Sequence, residues 1–500
     1  MVNKFSGIFI DVFWVAYLST TKTSFKKGNC CFFFCITGLY GCYTCFNRDE
    51  DFEALIAKIM PSSDSFDVIV VGAGPAGVAA GYVTAKAGLS TVILERGNYP
   101  GSKNLFGGIL FTPELEKLIP TFLQEAPLER HISKRRFSYL TADSELGLDI
   151  WSNRYNKPPF NHSFTVMRSR FDRWFSKKAE EVGAQVLTGV VVDDVIWEDG
   201  RVVGIKARGE QDGKVDELYG RLVICAEGVN SMLAEKVGLR KGLTAMNPTN
   251  RTVAVKEVVQ LTQEKVQERF NIRGDEGVAI VYLGEAVGGA LGTGFLYTYK
   301  DSISVGLGCE MQDLIDRRIA PYDLLDRMKE HPVIAPLIEG GQVIEYSTHM
   351  IPEDVYDRLP DLYVDGLMLV GDCAGLINNS MFQEGTNMAM ASGIFAGETA
   401  IEAKNKGDFS KKTLSIYRQK LENSFVLKDM RHYGQFLDLL RDHREFLGLY
   451  PESAAEFLVS YFTVDGRPKK DVKKEAFRRI RKKINFPRMI LNLIRARKLI

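Results

Sequence analysis

Five hundred residues exceed what one hydrophobic core ordinarily serves and point to roughly two to four domains or subdomains. With 45% hydrophobic and 25% charged residues, the composition is that of a globular protein with ample core material, not of a disordered or fibrous chain. The net charge of +1 hides an asymmetry: Arg467–Ile500 carries fourteen Lys/Arg and two acids, a local +12, leaving 50 basic and 61 acidic residues, −11, for the rest.

Residues 1–63 differ from everything after them and are expected to be a poorly ordered extension, or an over-extended start with Met60 as the true first residue. Two apolar patches, around Ile8–Leu18 and Cys30–Cys45, are interrupted or too short for a spanning helix, and no signal-peptide cleavage site follows. Five of the eight cysteines crowd between Cys30 and Cys45 without zinc or ferredoxin spacing. The remaining three, Cys225, Cys309 and Cys373, are far apart and suggest no disulfide framework, as in a reduced, cytoplasmic protein.

From Phe66 the order strand, glycine turn, helix, strand, acid becomes readable. The β-branched run from Asp67 leads into Gly72-Ala-Gly74-Pro75-Ala76-Gly77, an Ala-rich helix follows to Gly88, and Ser90–Leu94 ends at Glu95 and Arg96. Gly72 permits the tight turn. Gly74 removes a side chain where a pyrophosphate approaches, and Gly77 lets the helix pack on the sheet. The helix N-terminus offers free N–H groups to phosphates, and Glu95 stands where an acid accepts hydrogen bonds from ribose. The fingerprint alone leaves FAD and NAD open.

Further on, a strand Leu222–Cys225 runs into Ala226-Glu227-Gly228. Between 244 and 344, alternation in Val253–Val259 and Ser302–Gly308 predicts strands of a second, mixed sheet, with a helix over Tyr322–Glu330. A second apolar strand ends in Gly371-Asp372, and a helix follows Gln383-Glu384-Gly385-Thr386-Asn387. Helical patterns dominate from about Asn405. Over Lys469–Lys483, basic residues surround Val472, Phe477 and Ile480 at helical spacing. Pro487 interrupts, and Met489, Ile490, Leu493 and Ile494 continue the apolar face. Such a helix suits an anionic membrane surface, where each basic residue adds about 1 kcal/mol. A solvated helix or an acidic protein partner would fit the same pattern.

These motifs resemble the glutathione-reductase superfamily of flavoproteins. The loop Pro100-Gly101-Ser-Lys103-Asn104-Leu-Phe-Gly107-Gly108, the Gly274–Gly277 and Gly294–Thr298 segments and the Gln383–Asn387 turn narrow the resemblance to electron-transfer-flavoprotein:quinone oxidoreductases of the FixC type, over about Phe66 to Pro487. The resemblance implies FAD and an α/β fold: a glutathione-reductase-type (Rossmann-like) FAD-binding domain, an inserted mixed β-sheet substrate domain and a helical C-terminal region. The expected boundaries are 64–130, 162–243 and 345–405 for the FAD-binding domain, 131–161 and 244–344 for the quinone domain, and 406–500 for the helical region.

It further implies that Asp372 bonds the ribityl chain, that Arg168 in Met167–Asp172 reaches the adenosine or phosphate side, and that the helix after Asn387 aims at the flavin pyrimidine edge. Glu227 stands where the family usually has Asp. Lys103, Asn104, Gly107, Gly108, Gln383, Gly385, Thr386 and Asn387 are expected along the flavin. The implied partners are electron-transfer flavoprotein subunits, a quinone and a separate ferredoxin-like (FixX-type) protein, since no cysteine follows Cys373 to hold an iron–sulfur cluster. The implied location is cytoplasmic, peripheral on the inner face of the cell membrane. No nucleic-acid pattern is present, and no residue is assigned as catalytic acid, base or metal ligand; His131, His162 and His349 serve structure or catalysis equally well. A geranylgeranyl reductase shares the FAD motifs, but none of the four tryptophans lies in that family's Tyr-x-Trp-x-Phe-Pro context. A flavin-bearing scaffold subunit is the non-catalytic alternative.

Overall fold

The computed structural model describes residues 65–103, 108–209, 215–240 and 247–497. The expectations for residues 1–63 and for Asn104 and Gly107 lie outside them. The described residues fall in one compact unit.

The β-branched run forms strand β1, Phe66–Val71, buried along its whole length as an interior parallel strand must be. Helix α1, Pro75–Lys86, begins with a proline, whose missing N–H costs nothing in the first turn. Strand β2, Thr91–Glu95, then pairs parallel to β1, with Val68 opposite Thr91. On the other side of β1 lies the second half of Val215–Cys225, with Phe66 opposite Gly220 and Val71 opposite Cys225. Leu367–Leu369 adds a further parallel strand there, and Gln185–Thr188 flanks β2. The first half of Val215–Cys225 instead closes an antiparallel meander with Arg201–Gly209 and Val190–Glu198.

A second, nine-stranded mixed sheet runs from Gln342–Pro352 through Arg251–Gln260, Ser302–Glu310, Gly292–Thr298 and Glu276–Gly284 to Leu128–Leu140, Ser163–Val166 and Ile109–Phe111. Glu145–Trp151 pairs beside Leu128–Leu140. The strands at 109–111, 163–166 and 345–352, which the sequence placed in the flavin portion, pair within this sheet instead. Short apolar runs look alike in either sheet, and long-range pairing decides their membership.

Period-two alternation gives the second sheet its two faces. In Glu276–Gly284, Val278, Ile280 and Tyr282 enter a core with Leu324, Leu325 and Met328 of helix Pro321–Glu330. The intervening Ala279, Val281 and Leu283 face an open cavity. Helix Thr386–Lys406 packs beside α1 in the core of the first sheet. At the C-terminal end, Lys469–Lys483 is helical, and Pro487 occupies the first turn of a new helix, Phe486–Ala496.

Candidate functional site

A cavity of about 990 Å³ is walled by the dinucleotide unit and by the second sheet. At one end, Gly72, Gly74, Pro75 and Ala76 line it. A β-carbon on Gly77 would fall 2.0 Å from the Gly72 carbonyl oxygen, so this position holds α1 against the turn without itself reaching the cavity. A β-carbon on Gly74 would meet no protein atom within 4 Å. The turn is therefore tight from behind and open in front, and no side chain caps the first turn of α1. Uncapped amides at a helix N-terminus facing open space suit a pyrophosphate.

Glu95 and Arg96 follow on the wall. The Glu95 carboxylate accepts from the Ala73 N–H at 3.0 Å and the Gly97 N–H at 2.7 Å. Each oxygen retains acceptor capacity for a ribose hydroxyl. Burial raises the Glu95 pKa, against the pull of those two amides. Gly101, Lys103 and Gly108 continue the wall.

Arg168 opens helix Arg168–Glu181 and holds Asp172 through two 2.8 Å bonds, one turn along the helix. Burial opposes the guanidinium charge, but the Asp172 carboxylate outweighs it and keeps the Arg168 pKa above its ordinary value. Beside it on the cavity wall stands His349. Burial, with Arg168 and Arg96 adding to it, pushes this imidazole down to about 4, so it is neutral at neutral pH. His131 and His162 are engaged elsewhere, with Asn156 at 2.9 Å and Thr112 at 3.3 Å.

Glu227 and Gly228 reach the cavity, and both Glu227 oxygens accept from the Leu233 N–H at 3.2 and 3.0 Å. The residue that replaces the family's Asp thus anchors the start of helix Met232–Lys236. Gly371 and Asp372 line the cavity next to α1, where a β-carbon on Gly371 would lie 3.0 Å from that of Ala76. Burial raises the Asp372 pKa, with Arg168 and Arg240 opposing. Arg240 donates to the Asp372 and Cys373 carbonyls at 3.1 and 3.0 Å and fixes that turn. Cys373 itself is fully buried, its thiol pushed up to about 12 by burial, which makes it core rather than chemistry.

Gln383, Gly385 and Thr386 bring a second uncapped helix N-terminus to the cavity. Asn387 does not follow them. It is 4% exposed, turned into the protein, and absent from the wall, because the residue after Thr386 in a helix faces some 100° away.

The opposite half is apolar. Val281, Leu283 and Phe295 of the second sheet face Leu437, Leu440, Phe446 and Leu447 of the C-terminal region. A small polar group interrupts it: Thr252, Glu310, Glu353 and Arg441, none of which carries a recognisable sequence pattern. The open face of Gly74, the two uncapped helix starts and the free acceptor capacity of Glu95 fit FAD. That cofactor would supply electron transfer when bound, and the chain's part would be to position it, with Arg96, Arg168 and neutral His349 on the same cavity wall.

Comparison with known proteins agrees. Residues 67–240 match the family model for FAD dependent oxidoreductases, 252–351 that for ETF-QO, ubiquinone-binding, and 436–500 that for the ETF-QO/FixC family C-terminal domain. Protein FixC of Azotobacter vinelandii is 42% identical over 83% of this chain and 94% of its own. A probable electron transfer flavoprotein-quinone oxidoreductase of Escherichia coli is 42% identical over the same shares. Among solved structures, a geranylgeranyl bacteriochlorophyll reductase-like protein of Thermoplasma acidophilum shares the fold at 22% identity and a TM-score of 0.66, over 87% of this chain and 100% of its own. The family models and the extent of these matches agree in outcome: the chain belongs to the FixC branch of the electron-transfer-flavoprotein–quinone oxidoreductase family and is an FAD-dependent oxidoreductase.

Proposed function

We propose that the protein accepts electrons from a reduced electron-transfer flavoprotein and passes them through FAD to a membrane quinone, as the flavoprotein subunit of a complex that includes a separate ferredoxin-like protein. The observation that carries this reading is the cavity, which joins a dinucleotide cradle to an apolar half built from the segment matching the ubiquinone-binding model and from the C-terminal segment. A quinone ring and its prenyl tail need such a wall.

The residues that would hold FAD are Gly72, Gly74, Pro75, Ala76, Glu95, Arg96, Lys103, Gly108, Arg168, Glu227, Gly228, Gly371, Asp372, Gly385 and Thr386, with Gly77 acting through packing. The C-terminal helices supply a surface for peripheral membrane contact. Phe462, Val464, Phe477, Ile490, Leu493 and Ile494 are exposed there among basic residues. No described helix is long and apolar enough to cross a membrane.

Stopped-flow mixing of the FAD-loaded protein with reduced electron-transfer flavoprotein and a soluble quinone analogue tests the proposal. Flavin bleaching followed by quinone-dependent recovery is expected. An FAD that stays oxidised in this mixture, while a prenyl lipid plus reductant gives turnover, would reject it.

A further inference from the structure

Quinone reduction places negative charge on oxygen, and in an apolar cavity that charge needs a proton from the protein. Glu353 follows strand Gln342–Pro352, its N–H donating to the Asn250 carbonyl at 2.9 Å. Its Oε1 accepts from the Thr252 hydroxyl at 2.5 Å, and both residues line the cavity. Its Oε2 is shielded from solvent and has no hydrogen-bond partner. An ionised carboxylate so placed would leave a dry, unpaired anionic oxygen, an arrangement costly enough that the group holds its proton instead.

The surrounding charges reinforce this. Arg441, from helix Phe436–Asp442, spends its guanidinium on Glu310 at 2.6 and 3.0 Å, on Asp438 at 2.5 Å and on the Thr249 carbonyl at 3.1 Å. Asp354, the next residue, pairs with Arg240 and with Arg251. Among the described residues no cation pairs with Glu353. Burial pushes its carboxyl up to about 8; the Thr252 hydroxyl and Arg441 pull against this, and Glu310 and Asp354 add to it.

We propose that Glu353, with the Thr252 hydroxyl bonded to it, is the proton donor to the quinone in the apolar half of the cavity. This rests on the quinone reading above. Bound and reduced FAD would supply two electrons and one proton. The second proton is that of Glu353: its O–H bond breaks, an O–H bond forms on the quinone oxygen, and water returns a proton to the carboxylate. Where the acceptor sits nearer Thr252, that hydrogen bond reverses: the Glu353 carboxyl donates its proton to the Thr252 oxygen as the Thr252 hydroxyl gives its own to the quinone.

The test compares a quinone analogue, which needs protons, with ferricenium, which takes an electron alone. In Glu353→Gln the ratio of quinone to ferricenium turnover should fall roughly tenfold or more, and in Thr252→Val it should fall by less. In the wild type, quinone turnover should drop as pH rises through about 8 while ferricenium turnover shows no such step. Independently of turnover, infrared spectra at neutral pH should show a protonated-carboxyl band that Glu353→Gln lacks. An unchanged ratio in Glu353→Gln, equal slowing with both acceptors, or no lost band would overturn the assignment while leaving the quinone reading intact. A wild type that reduces ferricenium but no quinone sinks both, and shows it before any variant is compared.

Discussion

Replacing Gly74 and Gly77 separately by alanine should divide two effects that the glycine turn combines. At Gly77 the new methyl would lie 2.0 Å from the Gly72 carbonyl oxygen and 3.1 Å from both the Ala226 β-carbon and a Val70 methyl. Backbone must move, and overpacking of this kind costs about 1–3 kcal/mol, here charged to the cofactor-free fold. At Gly74 the backbone is extended, φ −77° and ψ 177°, which alanine adopts without strain, and the methyl meets no protein atom. The weaker helix-start preference of alanine and its lower unfolded-chain entropy are each worth about 0.5–1 kcal/mol and oppose one another. Gly74→Ala should therefore unfold in urea near the wild-type midpoint. The methyl projects into the space in front of the α1 amides, so about 1–3 kcal/mol falls on the bound state, a roughly 5- to 150-fold weaker FAD affinity. Urea unfolding of the apoproteins and FAD titration by flavin fluorescence give the two numbers. The reasoning fails if Gly74→Ala destabilises the apoprotein as much as Gly77→Ala, or binds FAD as tightly as wild type.

Asp172→Ala leaves the Arg168 guanidinium buried without its bidentate partner and should cost about 3–5 kcal/mol in urea unfolding, whereas a loss under 1 kcal/mol, about the worth of an exposed pair, would mean solvent reaches the site. Glu353 has a folded pKa of about 8 against an ordinary 4.5, so the folded state binds the extra proton. Its contribution is complete below the unfolded pKa and is lost as pH rises through the folded one, at most about 5 kcal/mol in all. The urea midpoint should fall across that window, and Glu353→Gln should flatten the fall; parallel curves for the two proteins would contradict it. Changing the exposed Ile490, Leu493 and Ile494 together to serine should weaken binding to phosphatidylglycerol liposomes more than tenfold, on the basis of about 0.8 kcal/mol per buried methylene, without moving the urea midpoint. Unaltered liposome binding would remove this face from the membrane surface.

Much of the cradle was legible because its information is local. Phe66–Glu95 carries strand, turn, helix and acid in one continuous stretch, and each glycine there answers to a neighbour a few residues away or to an open space. The helix Lys469–Lys483 was legible for the same reason: charge and apolar spacing set its face within its own length. What escaped depends on partners far along the chain. Glu227 reads as a cofactor contact, but nothing local shows that its two oxygens also hold the Leu233 amide. Asn387 sits in the right motif, but the helical rotation from Thr386 carries it away from the cavity. Glu353 lies in an unremarkable Pro-Glu-Asp sequence, and its character comes from Thr252, Glu310 and Arg441, each distant in sequence. Ile109–Phe111 and Ser163–Val166 show the same limit at the level of strands.

The chain visits the second sheet over 109–166, returns to the first over 185–225, crosses again over 251–352 and comes back at 363–369. Several covalent strands therefore stitch the two layers together, and a single hinge cannot open them. Neither layer is a contiguous piece that could be cut out, and the long-range pairings must form in one cooperative, slow assembly. For an enzyme whose work is moving electrons this stitching has a kinetic meaning. Tunnelling rates fall steeply with separation, and under the function proposed above the gap between FAD and a quinone would be set by a scaffold that several chain crossings tie together.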